Sequence, residues 1–246
     1  MTTHSQRLRD SISLVRGQLD RLIRGVWFHP RLGERFPEFL FAMYGITVAS
    51  APAMRTAAAC CANLADDPLA AWLCPYYLEH AGEESGHEQW LLDDLATFGV
   101  ARDQVMRRLP YPSVAALVGV QYYWMHHVHP VAYLGYIAVV EEPASIEFLE
   151  ETSRRTGIAL SSMSGHVMHA RLDPDHVAEF DAALDGLPLT AHHRDLISVS
   201  AIATVAHLEN VFTDILQHFE RVDDPASAAN LFTASRIMSA SAPRVL

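Results

Sequence analysis

Residues 80–87 read HAGEESGH and residues 169–176 read HARLDPDH. Both follow His-x3-carboxylate-x2-His, with His80, Glu84 and His87 in the first stretch and His169, Asp173 and His176 in the second. On an α-helix, positions i, i+4 and i+7 fall within an arc of roughly 60°. Each stretch therefore sets two imidazoles and a carboxylate on one helical face. Between them the apolar run VAYLGYIAVV, residues 131–140, closes on Glu141 and Glu142. Two such faces and a central glutamate are the parts of a dinuclear metal site.

Working outward, apolar residues recur at helical spacing through nearly every segment, and period-2 alternation bounded by turn residues is scarce. The pattern predicts an all-α domain. A first helix covers 5–28, with Ile12, Val15, Leu19, Leu22, Ile23 and Val26 on one face, and ends at His29-Pro30. A second runs from about Arg35 to Leu64, bent near Pro52. The third runs from Asp67 to Phe98, begins at the start signal Asp66-Asp67-Pro68 and stops before Gly99. Pro75 falls inside it and is expected to kink or divide it, because a proline removes a backbone donor and crowds the preceding turn.

A short helix near 102–108 precedes apolar helices at 112–128 and 130–142, another at 144–156, and a long amphipathic one from Thr190 to Val222. The second motif spans 159–171 and 174–185. Pro174 suggests a break there, with Asp173 as N-cap and Pro174 at the first position of a new helix. Residues 1–4 and 239–246 are expected to fray. The duplicated ligand spacing is the one internal repeat.

With 246 residues, one domain is the default. The net charge is -11 and every one of the 18 basic side chains is Arg. The absence of Lys reads as genomic compositional bias. No basic stripe offers the counterion-releasing surface that nucleic acid requires, so nucleic acid is not an expected partner. Cys60, Cys61 and Cys74 form no disulfide framework, which fits a reducing cytoplasm. The N-terminal stretch lacks the apolar core of a signal peptide. The region from Val114 to Val140 is interrupted by Gln121, His126, His127, His129 and Pro130, and no membrane association is expected.

A triad at i, i+4 and i+7 extends about 10.5 Å along the helix axis, whereas bonds from metal to ligand are only about 2 Å long. Either two ions are bound or one member of a triad lies outside the coordination sphere. Imidazole with carboxylate suits iron, manganese or zinc, and Glu84-x-x-His87 has the spacing by which helical bundles build carboxylate-bridged di-iron sites. Glu141 or Glu142 would supply the bridge. With 14 His in the chain, one triad is weak support and two matching triads are stronger. His126, His127 and His129 end a helix and complement its dipole. Trp90, Trp124, Tyr133 and Tyr136 stand near the motifs, but aromatics at helical spacing are chiefly core packing.

The stretches HAGEESGHEQWLLDDLATFG, YLGYIAVVEE and HARLDPDH, in that order on separate helices, resemble the heme-oxygenase-like diiron oxidases and oxygenases, also called iron-containing redox enzymes. The likeness extends from about His29 to His218. It implies a heme-oxygenase-like seven-helix bundle, usually a homodimer, that binds two iron ions (Fe2+/Fe3+), draws on an electron donor and activates O2 toward a small amino-acid-like or fatty-acid-like substrate. Manganese or zinc are substitutes for the iron.

The resemblance marks His87, Glu141, His169, Asp173 and His176 as ligands, with Glu84 as the first-helix carboxylate. Several members place that carboxylate seven residues before the His, where this chain has His80, so the choice stands among His80, Glu83 and Glu84. Glu141 is preferred over Glu142 because the family's Gly-Tyr-x4-Glu pattern reaches it from Gly135-Tyr136. Other functions for the same fold are heme binding, with His29 as axial candidate; a thiaminase-like hydrolase, which needs a Cys nucleophile; and a non-catalytic metal-binding protein. A substrate carboxylate would be met by Arg, His or backbone groups, and Arg155 and Arg171 lie near the motifs.

Overall fold

In the computed structural model, the described residues are 2–141 and 144–221, with the side chains of 172–176 and 221 outside the description. Glu142 and the tail at 239–246 accordingly lie outside the described residues. Eleven α-helices are seen among them: α1 (His4–Val15), α2 (Gly17–Trp27), α3 (Leu32–Ala62), α4 (Pro68–Glu83), α5 (His87–Thr97), α6 (Arg102–Arg107), α7 (Pro112–His127), α8 (Tyr133–Val140), α9 (Ile146–Thr156), α10 (Ser164–Gly186) and α11 (Ala191–Arg221). Short 3-10 turns at Pro130–Ala132 and Leu160–Ser162 lead into α8 and α10. The described residues form a single all-α domain.

Its axes are α3 and α11, each 31 residues long. Against α3 lie α4, α5 and α7, and against α11 lie α1, α2, α7 and α8. One continuous core joins them, with Val26, Phe36, Leu40, Leu73, Leu117, Ile137, Val211 and Ile215 shut from solvent. By length and composition, α11 is also apolar enough to cross a membrane, yet here it is the helix on which the others pack. Local chemistry sets the helix starts: the Thr3 hydroxyl accepts from Gln6 N at 3.2 Å, inside the stretch expected to fray, and Asp67 accepts from Leu69 N at 2.8 Å ahead of Pro68.

Four boundaries differ from the sequence reading. The expected first helix divides at Arg16 into α1 and α2. Pro75 does not divide its helix, because Ala71, whose carbonyl loses a partner, is on the exposed face, where water can take its place. The division falls instead at Glu84–Gly86, where Gly86 has φ 99°, a left-handed conformation that glycine adopts without steric cost. The stretch 159–185 holds one helix, α10, unbroken through position 174. Asp173 is therefore not an N-cap, and the helix is capped from elsewhere, as described below.

Glu38 of α3 ties three parts of the bundle together. It accepts from Arg108 (2.8 Å to one Nη, with a second close contact) and from the Tyr111 hydroxyl, and His218 of α11 lies 3.3 Å away. Burial alone would push this carboxyl up, but the Arg108 bond and charge, with His218 and Tyr111, hold it below its ordinary value of 4.5. A depressed carboxylate stabilises the fold above its unfolded pKa and loses that contribution as pH falls. Glu38→Gln is expected to cost about 2 kcal/mol at neutral pH. In urea titrations, the gap from wild type should close as pH drops below 4.5; a gap independent of pH would contradict this reading.

Candidate metal centre

The turn between α4 and α5 builds the first part of the centre. Glu84 caps α4, its N–H bonding to His80 O at 3.0 Å, and His87 opens α5 just beyond Gly86. His80, Glu84 and His87 are thus not three positions on one helix face. The reversal at Gly86 folds the His87 ring back toward Glu84, and both side chains are buried. From across the bundle α10 contributes His169. The candidate ligand atoms of Glu84, His87 and His169 all lie within 4.8 Å of one another.

This spacing is nearly that of a coordination sphere. Two donors about 2.1 Å from a shared ion stand at most about 4.2 Å apart, so a contraction of about half an ångström would complete the set. His87 Nδ1 lies 3.2 Å from Glu84 Oε1 and yet makes no hydrogen bond. A buried nitrogen left unbonded beside a carboxylate is costly unless a third group serves both. Burial would push the Glu84 carboxyl up, and the imidazoles of His87, His169 and His80 more than offset that, holding it ionised. The donor set is anionic oxygen with imidazole nitrogen, which suits iron, manganese or zinc.

His80 and Glu141 form a second pair. His80 Nε2 is 2.8 Å from Glu141 Oε1, with Glu141 just past the end of α8. Burial lowers the His80 pKa, but the Glu141 carboxylate 2.8 Å away, with the charges of Glu84 and Glu83, reverses the sign and raises it. Glu83 itself is exposed and not among the converging ligand atoms. Unbroken α10 leaves positions 173 and 176 on the helical face of 169; the Asp173 and His176 side chains lie outside the described residues, as does Glu142.

Two devices hold these groups. Trp90, one turn into α5, stacks on His87 with ring centroids 4.1 Å apart and meets His169 edge-on at 5.8 Å. Asp94, fully buried one turn further on, accepts from the N–H groups of Ser164 (2.8 Å) and Gly165 (3.0 Å), capping α10 from a neighbouring helix. Asp94→Ala would leave both donors without an acceptor at the start of the helix that carries His169. We expect a loss of about 2–4 kcal/mol in urea unfolding; a loss below about 0.5 kcal/mol, the ordinary surface value, would contradict the capping role.

Glu84, His87, His169 and Glu141 border one cavity of about 770 Å³. Most of its wall is apolar, from Ile12, Leu19 and Trp27 through Phe39, Met43 and Leu91 to Phe148, Val205 and Phe212. That volume is within the range of small-molecule sites. Tyr136 lines it beside the glutamates, its phenol pushed well up by burial, whereas Tyr133 and Trp124 do not reach it.

Arg16 and Arg24 border the cavity; the argininines suggested by sequence proximity do not, Arg155 instead donating to Trp27 O at 2.6 Å. His166, one turn before His169, also lines the cavity and was missed by motif spacing, although its i, i+3 relation to His169 places it on nearly the same face. Burial and the nearby His169 push its imidazole down to about 4.

Other candidates fall elsewhere. His29 packs edge-on to Phe219, 5.2 Å away, and is not part of the cavity wall. None of the three cysteines lines the cavity, and burial pushes the Cys61 thiol up to about 12, the reverse of what a nucleophile needs. His129 pairs with Asp67 at 2.8 Å, and His126 and His127 end α7.

Comparison with known proteins places the fold. A domain of unknown function with a heme oxygenase-like fold from Shewanella denitrificans OS217 superposes with a TM-score of 0.70, at 18% identity, over 89% of this chain and 93% of that one. A TenA homologue from Pseudomonas syringae pv. tomato DC3000 gives 0.66 at 13% identity, covering 86% and 92%. A TenA homologue from P. horikoshii OT3 gives 0.61 at 12% identity, covering 87% and 99%. Identities this low speak for the fold alone. No curated protein sequence matches the chain. The sequence model described as iron-containing redox enzyme matches residues 38–210, a span that contains every residue of the centre described above, and the chain belongs to that family.

Proposed function

We propose that the protein is a non-heme diiron oxidase or oxygenase that acts on a small, largely apolar substrate. The observation that carries this reading is the convergence of Glu84, His87 and His169 on the wall of an apolar cavity. In this reading these three hold one iron. Glu141, with Asp173 and His176 one and two turns along α10 from His169, holds the other, and His80 orients Glu141. Paired ferrous ions, when bound, supply electrons and open coordination positions for O2.

The chain's own residues do the rest. Trp90 stacks on the His87 ring and fixes its plane, with Nδ1 3.2 Å from Glu84 Oε1. Apolar side chains from α1, α2, α3 and α11 make up most of the cavity wall, and the low polarity they give it strengthens the electrostatics of the buried carboxylates. His80, favoured in its protonated form by Glu141, neutralises part of the acidic charge and stands ready to hold a proton at Nε2.

The test is O2 uptake by protein loaded anaerobically with ferrous iron. Uptake should scale with bound iron and be absent from zinc-loaded protein. Uptake equal to that of ferrous iron in buffer, or undiminished in Glu84→Ala, would refute the proposal.

A further inference from the structure

His166 is a polar group in apolar surroundings that the metal centre does not use. Its ring stacks on Phe39 with centroids 5.4 Å apart, meets Trp27 edge-on at 5.5 Å and lies 6.1 Å from Phe36. Its Nδ1 is fully buried and has no hydrogen-bond partner among the described residues. The ring as a whole is enclosed by protein but stays partly accessible, because its other edge borders the cavity. Nor is His166 among the ligand atoms that converge around Glu84.

The unbonded Nδ1 decides the tautomer. Which imidazole nitrogen carries the proton is set by the bonds the two nitrogens make. A buried N–H without an acceptor is rarer and costlier than a buried acceptor without a donor. The proton therefore belongs on Nε2, which is not buried as Nδ1 is and has no bond among the described residues, so that it is the one free to meet a molecule in the cavity. Enclosure keeps the ring neutral, so it offers one N–H and no positive charge.

We infer that His166 is a specificity-determining residue: its Nε2–H donates to a carbonyl or carboxylate oxygen of an otherwise apolar substrate. Three residues, about 4.5 Å of rise, separate it from His169. The oxygen it binds fixes which carbon of the substrate faces the ligands on α10. The inference rests on the proposed function for the meaning of that position, and on the cavity alone for the binding itself.

Calorimetric titration of anaerobic, iron-loaded protein with decanoate, 2-decanone and decylamine tests it. Both oxygen acceptors should bind more tightly than the amine, and the stronger of the two tells carboxylate from carbonyl. His166→Phe should weaken both about 10-fold, the worth of one hydrogen bond, with iron content unchanged. His166→Gln, which keeps an N–H donor, should recover part of the loss, and His166→Leu serves if the Phe variant does not fold. Acceptor binding unchanged in the Phe or Leu variant overturns the inference, as does loss of iron, which would make His166 a ligand. If wild-type protein holds no iron, the same titrations on metal-free protein still decide the role of His166, so the two readings fail separately.

Discussion

Replacing His87 by Ala is expected to weaken iron binding by more than about 100-fold and to abolish iron-dependent O2 uptake. Even a residue that only supports a ligand typically contributes 10- to 100-fold in metal affinity, and His87 stands in the centre itself, 3.2 Å from Glu84. The change also removes the ring on which Trp90 stacks and the first of the imidazoles that keep Glu84 ionised. Stability gives a second readout. Iron at 100 times its Kd should stabilise the wild-type fold by about 2.7 kcal/mol, and that gain should vanish in His87→Ala. Retained iron affinity, measured by anaerobic titration, would remove His87 from the centre.

The largest expected loss of stability comes from a single methyl group. A Cβ at Gly135 would overlap the carbonyl oxygen of Ile197 and lie 2.7 Å from Ala201 N and 2.9 Å from Ser200 Cβ. Two of these atoms are backbone of α11, so no rotamer change relieves the clash. Either α8 moves off α11, taking Tyr136 and Glu141 with it, or the core opens. Gly135→Ala is expected to cost more than about 3 kcal/mol, at the upper end for overpacking. Gly82→Ala is the control: its Cβ meets nothing within 4 Å, and removing a helical glycine is expected to stabilise by about 0.5–1 kcal/mol. Equal urea midpoints for the two variants would show that α8 and α11 do not pack this closely.

Helix type was legible because apolar spacing records which face of each segment is buried, and the long helices α3 and α11 carry that period over many turns; helix number was not, since eleven are seen among the described residues where a seven-helix bundle was expected. The breaks were less legible too. Pro75 and Pro174 looked decisive, yet exposure of Ala71 makes the first tolerable, and the helix through the second starts ten residues earlier, where Asp94 caps it. The reversal at Gly86 was hidden among residues read as helix. It also dissolves the apparent symmetry of the two motifs, since His80, Glu84 and His87 straddle a turn while His169 and positions 173 and 176 share one helix.

Spacing identified residues of the right chemistry near the centre, because local periodicity sets which of them share an element. It did not show that Glu84, His87 and His169 would meet or that His80 would pair with Glu141, since both are tertiary facts set by how α4, α5, α8 and α10 pack. His166 escaped for a related reason. It has no carboxylate partner in sequence, and only the aromatic wall built by α2 and α3 sets it apart from a core histidine.

Anomalous diffraction at the iron edge from an anaerobically iron-loaded crystal tests the account most directly. Two peaks about 3.5–4 Å apart are expected on the cavity wall, one within bonding distance of Glu84, His87 and His169, the other beside Glu141. A single peak, no peak among these residues, or iron held in a porphyrin would contradict a diiron centre.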